Sequence, residues 1–241
     1  MMESIEMAKQ AEEGKDDFFR NISHEMRTPL NSILGLTSLL KRRAKDDTKL
    51  LDMLSVIENN SQNLANLVES ILDLQRLQHN DLELQIKEFD TSGLYSSLIK
   101  QNESKALEKN ITFEHAIDHD IPPTLIGDEK RTAQIIMAVI DNALKFTLKN
   151  GSVNFNLSYS HDDSMLIAQV SDNGIGISSQ DQEKIFKLTQ LDGSLSRKHE
   201  GSGIGLTISN SLIKKMGGNF TVHSVVDEGS TFLVEIPLRR P

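Results

Sequence analysis

A seven-residue hydrophobic repeat runs through the first third of the chain and restricts what this part can fold into. Apolar residues recur in alternating steps of three and four at Phe19, Ile22, Met26, Pro29, Ile33, Leu36 and Leu40. A second run keeps the same steps at Leu50, Leu54, Ile57, Ser61, Leu64, Val68 and Ile71. This spacing predicts two amphipathic helices that pack along a heptad seam. The charged stretch between them predicts a short connection, with Asp47 or Thr48 as the cap of the second helix.

The second apolar stripe is wider than one partner helix covers. Four further leucines extend it, namely Leu51, Leu67, Leu72 and Leu74. A lone helical hairpin would leave much of this surface in water, which favours an antiparallel hairpin that dimerises into a four-helix bundle. The alternative is an intramolecular helix pair packed on the second domain of the same chain.

A histidine lies away from the apolar stripe of the first helix. His24 follows Ile22 by two residues, about 200° around a helix, and Thr28 comes one turn later on the same side. Pro29 interrupts the helical pattern and predicts a kink beside His24. An isolated helical histidine is most often a solvated surface residue. With Glu25, Thr28 and Pro29 around it, the first hypothesis is a nucleophile on the outer face of the bundle.

Composition narrows the function classes. The chain has 241 residues, enough for two domains of ordinary size, and a net charge of −9. This charge argues against nucleic acid and against direct contact with an anionic membrane, since both need clustered Lys and Arg. There is no cysteine, and no apolar run reaches the length of a membrane-spanning helix or a signal peptide. We expect a soluble, cytoplasmic core that is compatible with a membrane anchor in a full-length protein.

A break in the helical pattern near residues 79–81 divides the chain. We expect an input-helix stub at 1–15, the helical domain at 16–80 and a second domain at 81–241. The second domain mixes helical and alternating patterns, which predicts an α/β sandwich with helices on one face of a mixed, mostly antiparallel sheet. Predicted strands cover 82–86, 111–114, 153–159, 165–170, 219–226 and 231–236, and predicted helices cover 91–108, 128–147, 180–186 and 203–216.

Three segments of the second domain together indicate a nucleotide site. On the long helix, the amide of Asn142 is a hard neutral ligand suited to Mg²⁺ beside phosphates, and Lys145 can meet a phosphate as a point charge. After a strand, Asp172 can accept an exocyclic amine. Gly174 and Gly176 let the backbone approach a flat ligand.

The third segment opens a helix. It carries Gly201, Ser202, Gly203 and Gly205, and a helix start offers unpaired N–H groups to phosphate. A dinucleotide fingerprint is excluded because no strand precedes it and no parallel βαβ unit follows. A P-loop is excluded because no Gly-Lys-Ser/Thr sequence occurs.

Four ordered motifs resemble the boxes of bacterial two-component sensor histidine kinases. They are Ser23-His24-Glu25-Met26-Arg27-Thr28-Pro29-Leu30, Asn142-Ala143-Leu144-Lys145-Phe146, Asp172-Asn173-Gly174-Ile175-Gly176 and Gly201-Ser202-Gly203-Ile204-Gly205-Leu206. The resemblance covers nearly the whole chain from about Lys15. It implies a dimerisation and histidine phosphotransfer domain followed by a Bergerat-type ATP-binding domain that uses ATP and Mg²⁺.

The resemblance also implies roles for individual residues. His24 is the expected phospho-acceptor, Glu25 accepts the imidazole proton, and Thr28 positions a water for removing phosphate from the partner. Asn142 is the expected Mg²⁺ ligand, and Lys145 contacts phosphate. The adenine amine is expected at Asp172, and the pocket and lid are shaped by Gly174, Gly176, Gly201, Gly203 and Gly205. The partners implied are a second copy and the receiver domain of a separate response regulator.

Two positions depart from the family pattern. Ala138 stands where such kinases usually have a second Asn, and Phe186 is followed by Lys187 without the usual second Phe. Gyrase-like and heat-shock-chaperone relatives need a Glu at the position of Ala138 as a general base, so hydrolysis by their route is disfavoured. The functions that stay open are kinase with phosphatase activity, a phosphatase-dominant member, and a catalytically silent dimeric scaffold that binds nucleotide.

Overall fold

The chain divides into two compact units, Met1–Leu82 and Glu83–Pro241, and each is described by itself. The structure, a computed structural model, describes residues 26, 28–44, 47–79, 81–182, 184–186 and 204–241. Within these ranges, none of the helices combines the length and the hydropathy that a membrane span needs.

The first unit is a helical hairpin. Helix α1 covers residues 28–43 and helix α2 covers Thr48–Gln78. Of the two predicted cap residues, Asp47 and Thr48, it is Asp47 that caps α2. Its side chain accepts a hydrogen bond from the backbone N–H of Leu50 at 3.0 Å. Lys41 on α1 forms an ion pair with Glu58 on α2. Because only residues 44–47 connect the helices, this ion pair places them side by side in opposite directions.

Along most of its length the hairpin buries about one position in each heptad, and at the end of α2 it also buries Leu72, Asp73 and Leu74. The buried residues at this seven-residue spacing are Leu30 and Thr37 on α1 and Leu54, Ser61 and Val68 on α2. Other members of the predicted stripes stay exposed, including Ile33, Leu36, Leu40, Ile57 and Leu64. Among the described residues, the two helices therefore leave these apolar side chains uncovered. The kink predicted beside His24 lies outside the described residues.

The second unit alternates strands and helices. In chain order they are β1 (Lys87–Asp90), α3 (Thr91–Lys109), β2 (Thr112–Ile117), β3 (Thr124–Gly127), α4 (Glu129–Phe146), β4 (Ser152–Ser160), β5 (Met165–Asp172), α5 (Ser179–Gln182), α6 (Ile204–Met216), β6 (Asn219–Val225) and β7 (Gly229–Pro237). Helices α3 and α4 begin at the aspartate caps Asp90 and Asp128. An aspartate at this position satisfies N–H groups that the first turn leaves unpaired.

Five strands form one mixed sheet in the order β2-β4-β5-β7-β6. β2 and β4 are parallel, and every other neighbouring pair is antiparallel. Alternate residues of β4, from Val153 to Tyr159, are buried, and β5 and β7 repeat the pattern. Helices α3, α4 and α6 pack against this sheet. The predicted architecture, with helices on one face of a mixed, mostly antiparallel sheet, is confirmed.

Two parts of the sheet prediction were wrong. Residues 81–86 form no strand, because the backbone N–H of Gln85 binds the Asp128 carboxylate at 2.9 Å instead of a neighbouring strand. The strand begins at Lys87 and pairs with β3 in a separate two-stranded sheet. β3 was not predicted, since four residues after Pro122 and Pro123 are too few to show an alternating period.

Candidate functional site

The last two turns of α4 bring two candidate phosphate-site residues to one face. Asn142 and Lys145 are three residues apart, so they are neighbours on the helix surface. Both are half-buried, whereas Ala143 and Leu144 between them are buried in the core. Core packing of α4 thus holds Asn142 and Lys145 at the rim of the helix layer.

The end of α4 is tied to its surroundings through its carbonyl groups. The final carbonyls of a helix lack donors within the helix. The hydroxyl of Thr147 donates to the Ala143 carbonyl at 2.8 Å, and the ammonium of Lys109 donates to the Leu144 carbonyl at 3.3 Å. The backbone N–H of Ile175 donates to the Phe146 carbonyl at 3.3 Å. These bonds fix the turn that carries Lys145.

Lys145 has an environment suited to an anion. Partial burial lowers the pKa of its ammonium, and the positive charge of Lys109 lowers it further. The Nζ atom lies 4.8 Å from the centroid of the Phe146 ring, within the range of a cation–π contact. A partly desolvated ammonium gains more from an opposite charge than one in open water.

Asp172 ends β5 as a half-buried acceptor. Its carboxylate accepts a hydrogen bond from the backbone N–H of Gly174 at 2.9 Å and another from the backbone N–H of Ser230. Burial raises the pKa of this carboxyl, and the two N–H donors oppose the rise. The two N–H groups hold the carboxylate in one orientation. In this orientation it can accept a hydrogen bond from an amine of a flat ligand.

The loop after Asp172 passes so close to other backbone that two of its glycines leave no space for a side chain. A Cβ on Gly174 would lie 2.4 Å from the carbonyl oxygen of Phe146. A Cβ on Gly176, which has a φ of +67°, would lie 2.0 Å from the carbonyl oxygen of Val225. Gly174 therefore allows the loop to pack closely against the end of α4, and Gly176 allows it to pack closely against the β6–β7 hairpin.

The β6–β7 hairpin is the part of the site that sequence reasoning missed. The Ser224 hydroxyl accepts a hydrogen bond from the Ile177 backbone N–H at 2.7 Å, and the Asp227 N–H donates to the Ile175 carbonyl at 2.9 Å. The backbone N–H of Ser230 at the start of β7 also contacts this part of the site, because it donates a hydrogen bond to the Asp172 carboxylate. The sequence offered one signal, a turn-forming Asp227-Glu228-Gly229 between two strands, but it did not show which loop this turn would contact.

Helix α6 approaches α4 through small residues. Among the described residues, a Cβ on Gly205 would meet the Cβ of Ala138 at 3.9 Å, which is an ordinary contact. Gly205 is exposed. The described residues thus leave room for a Cβ at Gly205, in contrast to Gly174 and Gly176.

Several predicted site residues lie outside the described part of the chain. They are His24, Glu25, Gly201, Ser202 and Gly203. Thr28 is described: it is exposed on α1, and its carbonyl accepts the hydroxyl of Ser32 at 3.1 Å. Phe186 is also described and packs edge-on against Phe220, with 4.8 Å between ring centroids.

The donor set of the site fits a metal that arrives with phosphates. No group of three or more His, Asp or Glu side chains suited to a metal ion occurs among the described residues. On the phosphate-site face of α4, Asn142 supplies an amide oxygen, while Ala138, one turn earlier, supplies none. A single hard oxygen is compatible with Mg²⁺ when phosphate oxygens and water complete its shell.

Two protein-family models match the chain. The model described as His Kinase A (phospho-acceptor) domain matches residues 14–80. The model described as histidine kinase-, DNA gyrase B-, and HSP90-like ATPase matches residues 127–240.

The chain is also similar to proteins that are named as kinases and to a solved structure. The chain is 34% identical over 235 residues to the signal transduction histidine-protein kinase BarA of Escherichia coli, covering 96% of this chain and 25% of BarA. It is 35% identical over 239 residues to the autoinducer 2 sensor kinase/phosphatase LuxQ of Vibrio vulnificus, covering 97% of this chain and 28% of LuxQ. A crystal structure of full-length ShkA in complex with AMPPNP has a TM-score of 0.71 at 29% identity, over 93% of this chain and 46% of that protein. The chain thus spans about a quarter of the length of these curated relatives.

Proposed function

Because the chain belongs to the two-component sensor histidine kinases, we propose that it transfers the γ-phosphoryl group of ATP to His24. From His24 the group passes to an aspartate on the receiver domain of a separate response regulator. The observation that supports this most is the joint placement of Asn142, Lys145 and Asp172 around one helix–loop junction. We place the reaction in the cytoplasm, where ATP is available.

The second unit binds the nucleotide in this proposal. Asp172 accepts the exocyclic amine of adenine, and Gly174 and Gly176 allow the ring to lie close to the backbone. Lys145 meets a phosphate, and Gly201, Ser202, Gly203 and Gly205 offer N–H groups at the start of α6. Asn142 would hold Mg²⁺ together with the phosphates, and the bound ion would offset negative charge on the phosphate oxygens.

The first unit supplies the acceptor. The neutral imidazole of His24 attacks the γ-phosphorus in line, a P–N bond forms, and the bond to the β,γ-bridging oxygen breaks, so that ADP leaves with the electron pair. Glu25 accepts a hydrogen bond from the N–H of the other ring nitrogen. It takes up this proton as the imidazole ring gains positive charge during the attack. Transfer to the regulator replaces the P–N bond by an acyl phosphate on its aspartate.

A reverse activity has its own support. Thr28 is exposed on α1, four residues after His24 in the sequence, and its hydroxyl can orient a water for attack on the phosphorylated regulator. LuxQ is described as a sensor kinase/phosphatase. We therefore propose a bifunctional enzyme. Replacing Thr28 by Ala should slow regulator dephosphorylation and leave the rate of His24 labelling unchanged. Equal dephosphorylation by both proteins would remove this part of the proposal.

Dimerisation completes the first unit. The apolar residues that the hairpin leaves exposed form the surface on which we place a second copy, as a four-helix bundle. In the proposed organisation residues 1–15 are an input-helix stub, residues 16–80 form the dimerisation and phosphotransfer domain, and residues 81–241 form the ATP-binding domain.

The kinase proposal is tested by incubating the chain with ATP labelled at the γ-phosphate. The expected product is labelled protein whose label is lost in acid and kept in base, as a phosphohistidine requires. The same incubation with ATP labelled at the α-phosphate is the control and should label nothing. Protein that binds ATP and takes no γ-label, or takes a label stable in acid, would contradict the proposal.

A further inference from the structure

Helix α3 runs beside α4 in the same direction and contacts it through two lysines. Lys105 forms an ion pair with Asp141, and Lys109, one turn later, donates to the carbonyl of Leu144. Since both pairs advance together along the chain, the two helices are parallel. Lys105 and Lys109 thus lie along the side of α4 that borders the phosphate-site face.

The bond from Lys109 reaches a group that α4 cannot satisfy by itself. The carbonyl of Leu144 would need a donor four residues later, beyond the helix end at Phe146. Lys109 supplies this donor, and Ile175 supplies one to Phe146. Lys145 lies between these two anchored carbonyls, so its backbone is held from α3 on one side and from the Asp172 loop on the other.

The charge of Lys109 acts on the same residue. Two ammonium groups repel, and the pKa of Lys145 is lowered by Lys109 in addition to burial. The repulsion disfavours orientations of Lys145 toward α3 and favours those toward an anion elsewhere. Lys105 differs, because the carboxylate of Asp141 neutralises it.

We propose that Lys109 is a positioning residue for the phosphates of the nucleotide. It binds the Leu144 carbonyl, fixes the last turn of α4 and directs the ammonium of Lys145 toward the phosphates. The inference rests on the proposed ATP site and adds a residue outside all four sequence motifs. It predicts that Lys109 matters for ligands that carry phosphates and not for the nucleoside alone.

The test measures binding of Mg²⁺-ATP, Mg²⁺-ADP and adenosine to the full chain by calorimetry. Lys109 is exposed, and Met has nearly the helix propensity of Lys, so Lys109→Met should leave α3 intact. We expect Lys109→Met to weaken ATP and ADP about fivefold, the scale of a cation at a helix carboxyl end, and to leave adenosine unchanged. Lys109→Arg keeps the charge and a donor and should restore phosphate-dependent affinity. Lys105→Met, the matched control on the same helix, should change ATP affinity less than about twofold.

Three outcomes would overturn the inference. One is wild-type ATP affinity in Lys109→Met. Another is an equal loss for ATP and adenosine in that variant, which would indicate general support of the fold. The third is a loss that Lys109→Arg does not restore. Wild-type protein that binds none of the three ligands would instead overturn the proposed function, and the role of Lys109 with it.

Discussion

The two units bury their apolar residues to very different extents. In the second unit, large side chains such as Phe155, Phe232 and Ile135 are completely buried between the sheet and its helices. In the first unit, Leu36 and Met53 are about 60% exposed on a hairpin of two helices. A sheet with a helix layer closes its own core, whereas two helices cannot cover a stripe that is wider than their contact. The second unit therefore closes its own core, whereas the described part of the first unit leaves apolar side chains for the proposed second copy to cover.

The largest effect is expected on the exposed stripe of the hairpin. Ile57→Asp places a charge at the proposed dimer interface in both copies. It should weaken association by about 4 kcal/mol, roughly a thousandfold in Kd. Asn59→Asp adds the same charge about 200° away on α2 and is the matched control. Sedimentation velocity over a range of concentrations distinguishes the two variants. If Ile57→Asp stays as dimeric as Asn59→Asp, the hairpin does not dimerise through this stripe.

In the second unit, the effect of a Gly→Ala substitution on the free energy of unfolding should depend on the space available for a Cβ at each glycine. Gly176→Ala forces a Cβ against the Val225 carbonyl at a positive φ, and we expect it to lower the unfolding free energy by about 3 kcal/mol. Gly205→Ala has room in a helix and should raise the unfolding free energy by up to about 1 kcal/mol. Urea denaturation followed by circular dichroism measures both. Equal effects of the two substitutions would mean that the loop adapts to a side chain.

At Asp172 we expect smaller effects on ATP affinity and on the pH dependence of stability. Asp172→Asn replaces a charged acceptor and should weaken ATP by about 2 kcal/mol, while Asp162→Asn in an exposed turn should not. Because burial raises the pKa of Asp172 in the folded state, its contribution to stability is complete below the carboxyl pKa of the unfolded chain and is lost as pH rises through the folded pKa.

Asp172→Asn should therefore unfold at higher urea than the wild type at pH 7, and the difference should vanish near pH 3, below the unfolded value of about 3.9. Urea midpoints at both pH values measure this. A variant that is less stable than the wild type at pH 7 would show that the carboxylate stabilises the fold, contrary to its raised pKa.

The smallest effect is expected for the ion pair between the two hairpin helices. Lys41 and Glu58 are both partly exposed, so Lys41→Met should change the unfolding free energy by less than about 0.5 kcal/mol. Thermal unfolding at low and high salt measures it. A loss above about 1.5 kcal/mol would show that the pair, and not the apolar seam, sets the packing of the hairpin.

Regular elements with a strong local pattern could be predicted from the sequence. The predicted helix 128–147 is Glu129–Phe146 in the structure, since the Asp128 cap marks its start and the periodic apolar face indicates how far it extends. The short β3 was missed because its pairing with β1 joins residues far apart in the chain. Local pattern does not encode such a partner.

The site was predictable only at the level of its motifs. Asn142, Lys145 and Asp172 stood out through their chemistry, but the bond from Ile177 to Ser224 spans 47 positions and has no sequence signal. Likewise, Gly176 and Gly205 both occur in glycine-rich motifs, and the sequence does not distinguish their structural roles. Only the distances to Val225 and Ala138 show that packing within the described residues excludes a Cβ at Gly176 and leaves space for one at Gly205.

One comparison of two variants tests most directly that one unit binds the nucleotide and the other accepts the phosphoryl group. The His24→Gln and Asn142→Ala variants of the 241-residue chain are each measured for Mg²⁺-ATP affinity and for γ-phosphate labelling. The account predicts that His24→Gln binds ATP like the wild type and takes no label, and that Asn142→Ala loses affinity and labelling together. Labelled His24→Gln protein, or Asn142→Ala protein with full affinity and full labelling, would contradict it.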